Sequence, residues 1–166
     1  MNIIELLMVE HASLRLHFQF ARRAGDWDLI YDVEEFVRGC HARVEDVVVF
    51  PHLEEILTVP DRDNFLKTIS RLEADHKLID TIGEQIRLRT AQGSDPETLR
   101  KRILLYATTV ESHNSSEESL IFQFWESGND DKWITEKTLE IIREFGLNRY
   151  FQVTGISERL MNSALR

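Results

Sequence analysis

The sequence predicts an all-α protein: an up-down-up-down antiparallel four-helix bundle with an additional C-terminal helical segment. Three observations carry this. Breakers are scarce, seven Gly and three Pro in 166 residues, and Leu, Glu, Ile, Arg and Ala, which suit helix interiors, fill the stretches between them. The breakers cluster, at Gly25-Asp26, at 58–61, at 92–96 and at 128–130. Between the clusters, apolar residues recur at three-and-four spacing, the period of one buried helical face.

The first helix is expected over 2–24, with Ile4, Leu7, His11, Leu14, Phe18 and Ala21 on its seam. Met1 to Leu7 is apolar but lacks a basic stretch and soon meets Glu10, so it reads as the start of this helix and not as a signal peptide. Helix 2, over 27–57, has a looser seam of Ile30, Val37, His41, Val44 or Glu45, and Val48. Helix 3, over 62–91, offers Phe65, Ile69, Leu72, His76, Ile79, Gly83 and Ile86. Helix 4, over 96–127, opens with Asp95 as N-cap and Pro96 at the first helical position, and carries Leu99, Ile103, Tyr106, Val110, His113, Glu117, Leu120 and Phe124. Short connections make consecutive helices antiparallel.

Residues 1–127 are thus read as the bundle and 128–166 as a helical extension packed on the same domain. In the extension Trp133, Ile134, Leu139, Ile142 and Phe145 fall at helical spacing. Capping one end of the bundle is the preferred role for them, ahead of a homodimer contact or a docked partner.

Charge and cysteine content narrow the function classes. A formal net charge of -9 leaves no basic stripe for phosphates, which excludes nucleic acid and disfavours an anionic membrane surface. No apolar run is long enough to span a membrane. The single Cys40 cannot form an intramolecular disulfide, so a reducing, cytoplasmic setting is expected.

Every helix places a histidine on its inward stripe. Counted from the shared turns, His11, His41, His76 and His113 sit about 14 to 17 residues away on each side, which at about 1.5 Å per residue agrees to within about one helical turn. The four imidazoles are therefore expected in one layer. His41 and His113 each have a glutamate four residues on, Glu45 and Glu117, one turn along the same face. Opposed carboxylates from helices 2 and 4 can bridge two metal ions. Without a cation, four imidazoles and two carboxylates in a core layer would each cost on the order of a few kcal/mol. Mixed imidazole and carboxylate donors suit iron, and also manganese or zinc, while the lack of thiolates argues against an iron–sulfur cluster. Glu73-Ala-Asp-His76 is a single Glu-x-x-His motif, and one copy does not make a ferritin-like site.

The motifs Glu10-His11, His41-Ala-Arg-Val-Glu45 with Val49 to Pro51, Asp75-His76, and His113-Asn-Ser-Ser-Glu117 with Leu120 to Phe122 occur in order, one per helix. In these residues the chain resembles hemerythrin and the wider hemerythrin-like, HHE cation-binding family, over residues 1 to 127. The resemblance implies an oxo- or hydroxo-bridged pair of iron ions, with Glu45 and Glu117 as bridges and the four histidines as terminal ligands. Hemerythrin itself has a fifth histidine four residues from the one on the third helix, where this chain has Leu72 and Asp80. Asp80 then has two readings, a fifth ligand or an acid that orients an imidazole from outside. Four-histidine relatives look more like sensors, iron handlers, or proteins that process nitric oxide or repair iron–sulfur clusters.

The leading expectation is a protein that binds O2 or a related diatomic such as NO at a di-iron centre. The alternative is an enzyme or repair factor that handles nitric oxide or peroxide, or donates iron to clusters. Some relatives of that kind carry a cysteine-bearing N-terminal extension; this chain starts at helix 1, which favours binding. Glu118 is the rival to Glu117, since a bulge would exchange them, and is otherwise read as an additional ligand or an acid outside the ligand set. Tyr106, two turns before His113, is a core residue whose hydroxyl can reach toward the metal layer. His52 is three turns from His41, too far for the same centre, and Cys40 reads as packing.

Overall fold

Helix starts and stops follow local chemistry in the computed structural model, which describes residues 2–25, 27–56, 62–125, 132–159 and 161. Helix α1, Ile3–Ala24, opens on a capping box: the Asn2 side chain accepts from the Glu5 amide at 2.8 Å, and Glu5 accepts from the Asn2 amide at 2.8 Å. It ends at Gly25 in the left-handed region, φ 67°. Helix α2 runs over 29–56 and contains two π turns, Val37–His41 and Glu45–Val49. Helix α3 is Arg62–Ala91, and α4 is Pro96–Leu120, capped by Asp95, which accepts from the Thr98 amide at 2.9 Å. Helices α5, Lys132–Phe145, and α6, Leu147–Thr154, follow. The turn expected at 58–61, the end of helix 2 at 57 and the break at 128–130 lie outside the described residues. Among the described residues there is no strand, and no helix is long and apolar enough to cross a membrane.

The seams of α1 and α3 are buried as expected, every position from Ile4 to Ala21 and from Phe65 to Ile86. Helix α4 departs at its end. It stops at Leu120, which is 40% exposed, and a 3₁₀ turn over Phe122–Phe124 brings Ile121 and Phe122 into the core instead. The tighter turn shifts the phase of the seam, so the expected continuation to 127 fails. Phe122 gains a stacked contact with His11, with ring centroids 5.4 Å apart.

The loose seam of α2 also has a physical reason. This helix buries two faces, one toward the bundle and one, with Phe36 and Cys40, toward the C-terminal helices. Helix α5 packs on the middle of α2, and α6 packs on α1 and α2. Helices α5 and α6 therefore cover a flank of the bundle at mid-height, where the cap of an end was expected. Gly39 permits this approach, since a Cβ there would stand 3.1 Å from the Phe145 ring. Ile134, Thr138, Ile141 and Ile142 form the buried face of α5, whereas Trp133, expected inside, is 51% exposed.

Candidate metal centre

The four seam histidines meet at mid-bundle with Glu45 and Glu117, and all six are buried. His41 and Glu45, one turn apart on α2, fall within its two π turns and point inward, while Phe36 packs against Phe145 of α5 and Tyr150 of α6. The six side chains form two overlapping groups. In each, the candidate ligand atoms lie within 4.8 Å of one another: His11, His41, Glu45 and Glu117 in the first, Glu45, His76, His113 and Glu117 in the second.

Each carboxylate divides its oxygens between the groups. Glu45 Oε1 is 3.7 Å from His11 Nε2 and 3.5 Å from His41 Nε2, while Oε2 is 3.3 Å from His76 Nε2. Glu117 Oε2 is 3.5 Å from His11 Nε2, and Oε1 is 3.1 Å from His113 Nε2 and 3.8 Å from His76 Nε2. All four carboxylate oxygens, with His76 Nε2 and His113 Nε2, are buried without an aligned hydrogen-bond partner. Donors about 2.1 Å from a shared ion stand about 3.0 to 3.4 Å apart on neighbouring tetrahedral or octahedral positions. The observed spacings fall at and just beyond that range. The donor set thus fits two cations that share both carboxylates.

A second ring of acids turns the imidazoles inward. Glu10 of α1 accepts from His41 Nδ1 at 2.7 Å, Asp46 of α2 accepts from His76 Nδ1 at 2.7 Å, and Glu118 of α4 accepts from His11 Nδ1 at 2.9 Å. Asp75 of α3 is the corresponding acid for His113, at 3.7 Å and beyond hydrogen-bonding distance. Each acid follows or precedes an inward residue of its own helix and serves the histidine of the next one, around the whole bundle. Because an ionised carboxylate only accepts, each bonded Nδ1 carries a hydrogen, and Nε2 is the nitrogen that faces the cluster and is left for a cation.

The electrostatics favour cations. Burial alone would lower the pKa of His11 and of His76, but the acids beside them outweigh it. Glu118, Glu45 and Glu117 raise His11 to about 9, and Asp46, Glu45 and Glu117 raise His76 to about 10. Burial would raise Glu45, yet His41, His11 and His76 hold it well below the usual carboxylate range. Glu117 goes up, through burial and the charge of Glu45.

The other expected residues are placed as follows. Glu118 is not brought into either group; its bond to His11 and a second to Arg15 at 2.8 Å hold its pKa down to about 2. The Tyr106 hydroxyl is buried and without a hydrogen-bond partner; burial and the Glu34 charge raise its pKa, and its charged surroundings are Glu34, Arg87, Asp80 and Arg38, away from the cluster. Asp80 is 55% exposed, with Arg38 Nε at 3.9 Å, and is also outside both groups. It lines, with His76, Asp46 and Tyr106, a cleft of about 340 Å³ between α2 and α3. Asp80→Ala is therefore expected to leave metal content per chain and the visible spectrum of the loaded protein unchanged; lost metal or a shifted band would put Asp80 at the cluster. Cys40 is buried, and burial with the Glu10 charge pushes its thiol up, so it packs and does not react. His52 lies against Trp125, with centroids 5.0 Å apart.

Of the outer acids, sequence reasoning named Glu118 alone, as an additional ligand or an acid outside the ligand set, and did not assign Glu10, Asp46 or Asp75. Their signal was present, as an acid adjacent to an inward ligand on each helix: Glu10 by His11, Asp46 by Glu45, Asp75 by His76 and Glu118 by Glu117.

The bundle and its paired histidine and glutamate groups define a helical cation-binding domain. The family model described as Hemerythrin HHE cation binding domain matches residues 2–125, and the chain belongs to that family. Searches of the curated proteins and of the solved structures found no match.

Proposed function

We propose that the chain holds two iron ions on His11, His41, His76, His113, Glu45 and Glu117 and binds O2 or a related diatomic such as nitric oxide, for sensing, storage or delivery. The observation that carries this reading is the sharing of both carboxylates by two histidine pairs. When bound, iron supplies electrons to a diatomic ligand, and four protein donors per ion leave coordination positions for it. The protein's part is to keep the Nε2 atoms of His11, His41 and His76 inward through their Nδ1 bonds, and to exclude water. His11 and His41 are sealed, while His76 borders the cleft. The donor set also accepts manganese or zinc.

The test is anaerobic reconstitution of the purified chain with ferrous iron, followed by metal analysis. Two ions per chain are expected, and less than one iron, manganese or zinc would sink the metal reading. Exposure of the reduced, loaded protein to O2 and to nitric oxide, followed by visible absorption, then decides the use. An adduct that reverses under vacuum supports binding. Turnover with release of product instead supports an enzyme or repair factor that handles nitric oxide or peroxide, or hands iron to iron–sulfur clusters.

A further inference from the structure

Helix α6 lies beyond the residues that the family model matches, yet it reaches the outer ring of the cluster. Tyr150 is fully buried, and its hydroxyl donates to Glu10 Oε1 at 2.6 Å. The other oxygen of the same carboxylate accepts from His41 Nδ1 at 2.7 Å. Glu10 is itself buried, so these two donors are what satisfies its charge away from water. One helical turn further along both helices, the Ser13 hydroxyl donates to the Val153 carbonyl at 2.6 Å, which fixes α6 against α1 in this register. The Phe36 ring packs against both Tyr150 and His41, with centroids at 5.8 and 5.9 Å.

We propose that Tyr150 is a positioning residue of the metal centre: it holds Glu10, and through Glu10 sets the direction and basicity of His41, which makes the C-terminal helical segment part of the site. The inference rests on the metal reading above. A carboxylate with only one donor is free to rotate, and an imidazole whose carboxylate partner rotates loses both its fixed ring plane and part of its donor strength. Tyr150 lies outside both ligand groups. Its effect passes entirely through Glu10.

The test is a cycle of Tyr150→Phe, Glu10→Gln and the double variant in the full chain, read by chelator competition for ferrous iron and by the spectrum of the loaded protein. Tyr150→Phe is expected to weaken iron binding by about tenfold, and Glu10→Gln by about 10- to 100-fold, the range for partners of ligating histidines. The double variant should be no weaker than Glu10→Gln alone. In the metal-free chain the His41 Nδ1 proton resonance should move in Tyr150→Phe, a shift that general loosening of the fold would not confine to His41. Phe151→Ala, on the exposed side of the same helix, should bind iron like the unaltered chain. If Tyr150→Phe does not fold, Ser13→Ala loosens the docking of α6 and keeps the hydroxyl; its smaller loss must likewise vanish in the Glu10→Gln background. Unchanged affinity in Tyr150→Phe, or losses that add fully to those of Glu10→Gln, would overturn the proposal. An unaltered chain that takes up no metal would bring down the metal reading first and this inference with it.

Discussion

Glu45→Gln is expected to lower the iron retained after reconstitution and desalting from two ions per chain to one or fewer. Glutamine keeps the shape of the side chain, so the packing around position 45 should survive, and what changes is charge and donor strength. Glu45 sends one oxygen toward the His11 and His41 nitrogens and the other toward His76, so a single substitution weakens both groups at once. Two dications held by groups that share these carboxylates would repel each other, and the anionic side chains would offset that repulsion. With Glu117 as the only remaining shared anion, the second ion has the weaker hold. Asp46→Asn is the control. It takes the negative charge from the group that accepts from His76 Nδ1 without touching a bridge, and should weaken iron by about 10- to 100-fold while two ions still load at saturation. Metal analysis of both variants, with circular dichroism to confirm folding, separates the cases; two tightly held ions in Glu45→Gln would remove Glu45 from the bridging role.

What the sequence shows of this arrangement depends on whether a feature is local and periodic. The seams of α1 and α3 are legible because each helix is regular and buries one face, so Ile4 to Ala21 and Phe65 to Ile86 stand at the spacing of an unbroken helix. The common height of the four histidines follows from helix lengths alone. Helix α2 resists the same reading because two π turns change its phase and a second face is covered by α5 and α6. The end of α4 resists it because a 3₁₀ turn exchanges Leu120 for Ile121. Glu10, Asp46 and Tyr150 are different again. Each is bonded across helices, over sequence separations of 31, 30 and 140 residues, and no period within one helix can report such a partner. Even so, a charged residue next to an inward ligand on every helix is a pattern that composition and burial rules do not expect, and it points to the outer ring once the inner one is known.

Affinity for iron is expected to rise steeply with pH while the stability of the metal-free chain falls. His11 and His76 belong to different groups, and their carboxylate neighbours raise them to about 9 and about 10. Both folded values exceed the ordinary histidine value of 6.5. Their contribution to the stability of the metal-free protein is therefore fully present below about pH 6.5 and is lost as pH rises through about 9 and then about 10. Metal acts in the opposite sense, because a cation must displace the Nε2 proton from each. Each ion should then gain about tenfold in affinity per pH unit, so that loading of the pair gains about a hundredfold per unit up to about pH 9. Above that, only the position of His76 still gains. Chelator competition at several pH values, proton release in weak buffer, and melting of the metal-free chain measure the three quantities separately. Iron affinity that stays flat between pH 6.5 and 8.5, without proton release, would mean that the imidazoles are already neutral and that the carboxylates do not hold protons on them. The same competition would make an acid-rich core layer tolerable in the metal-free chain, with protons on His11 and His76 offsetting the charge of Glu45.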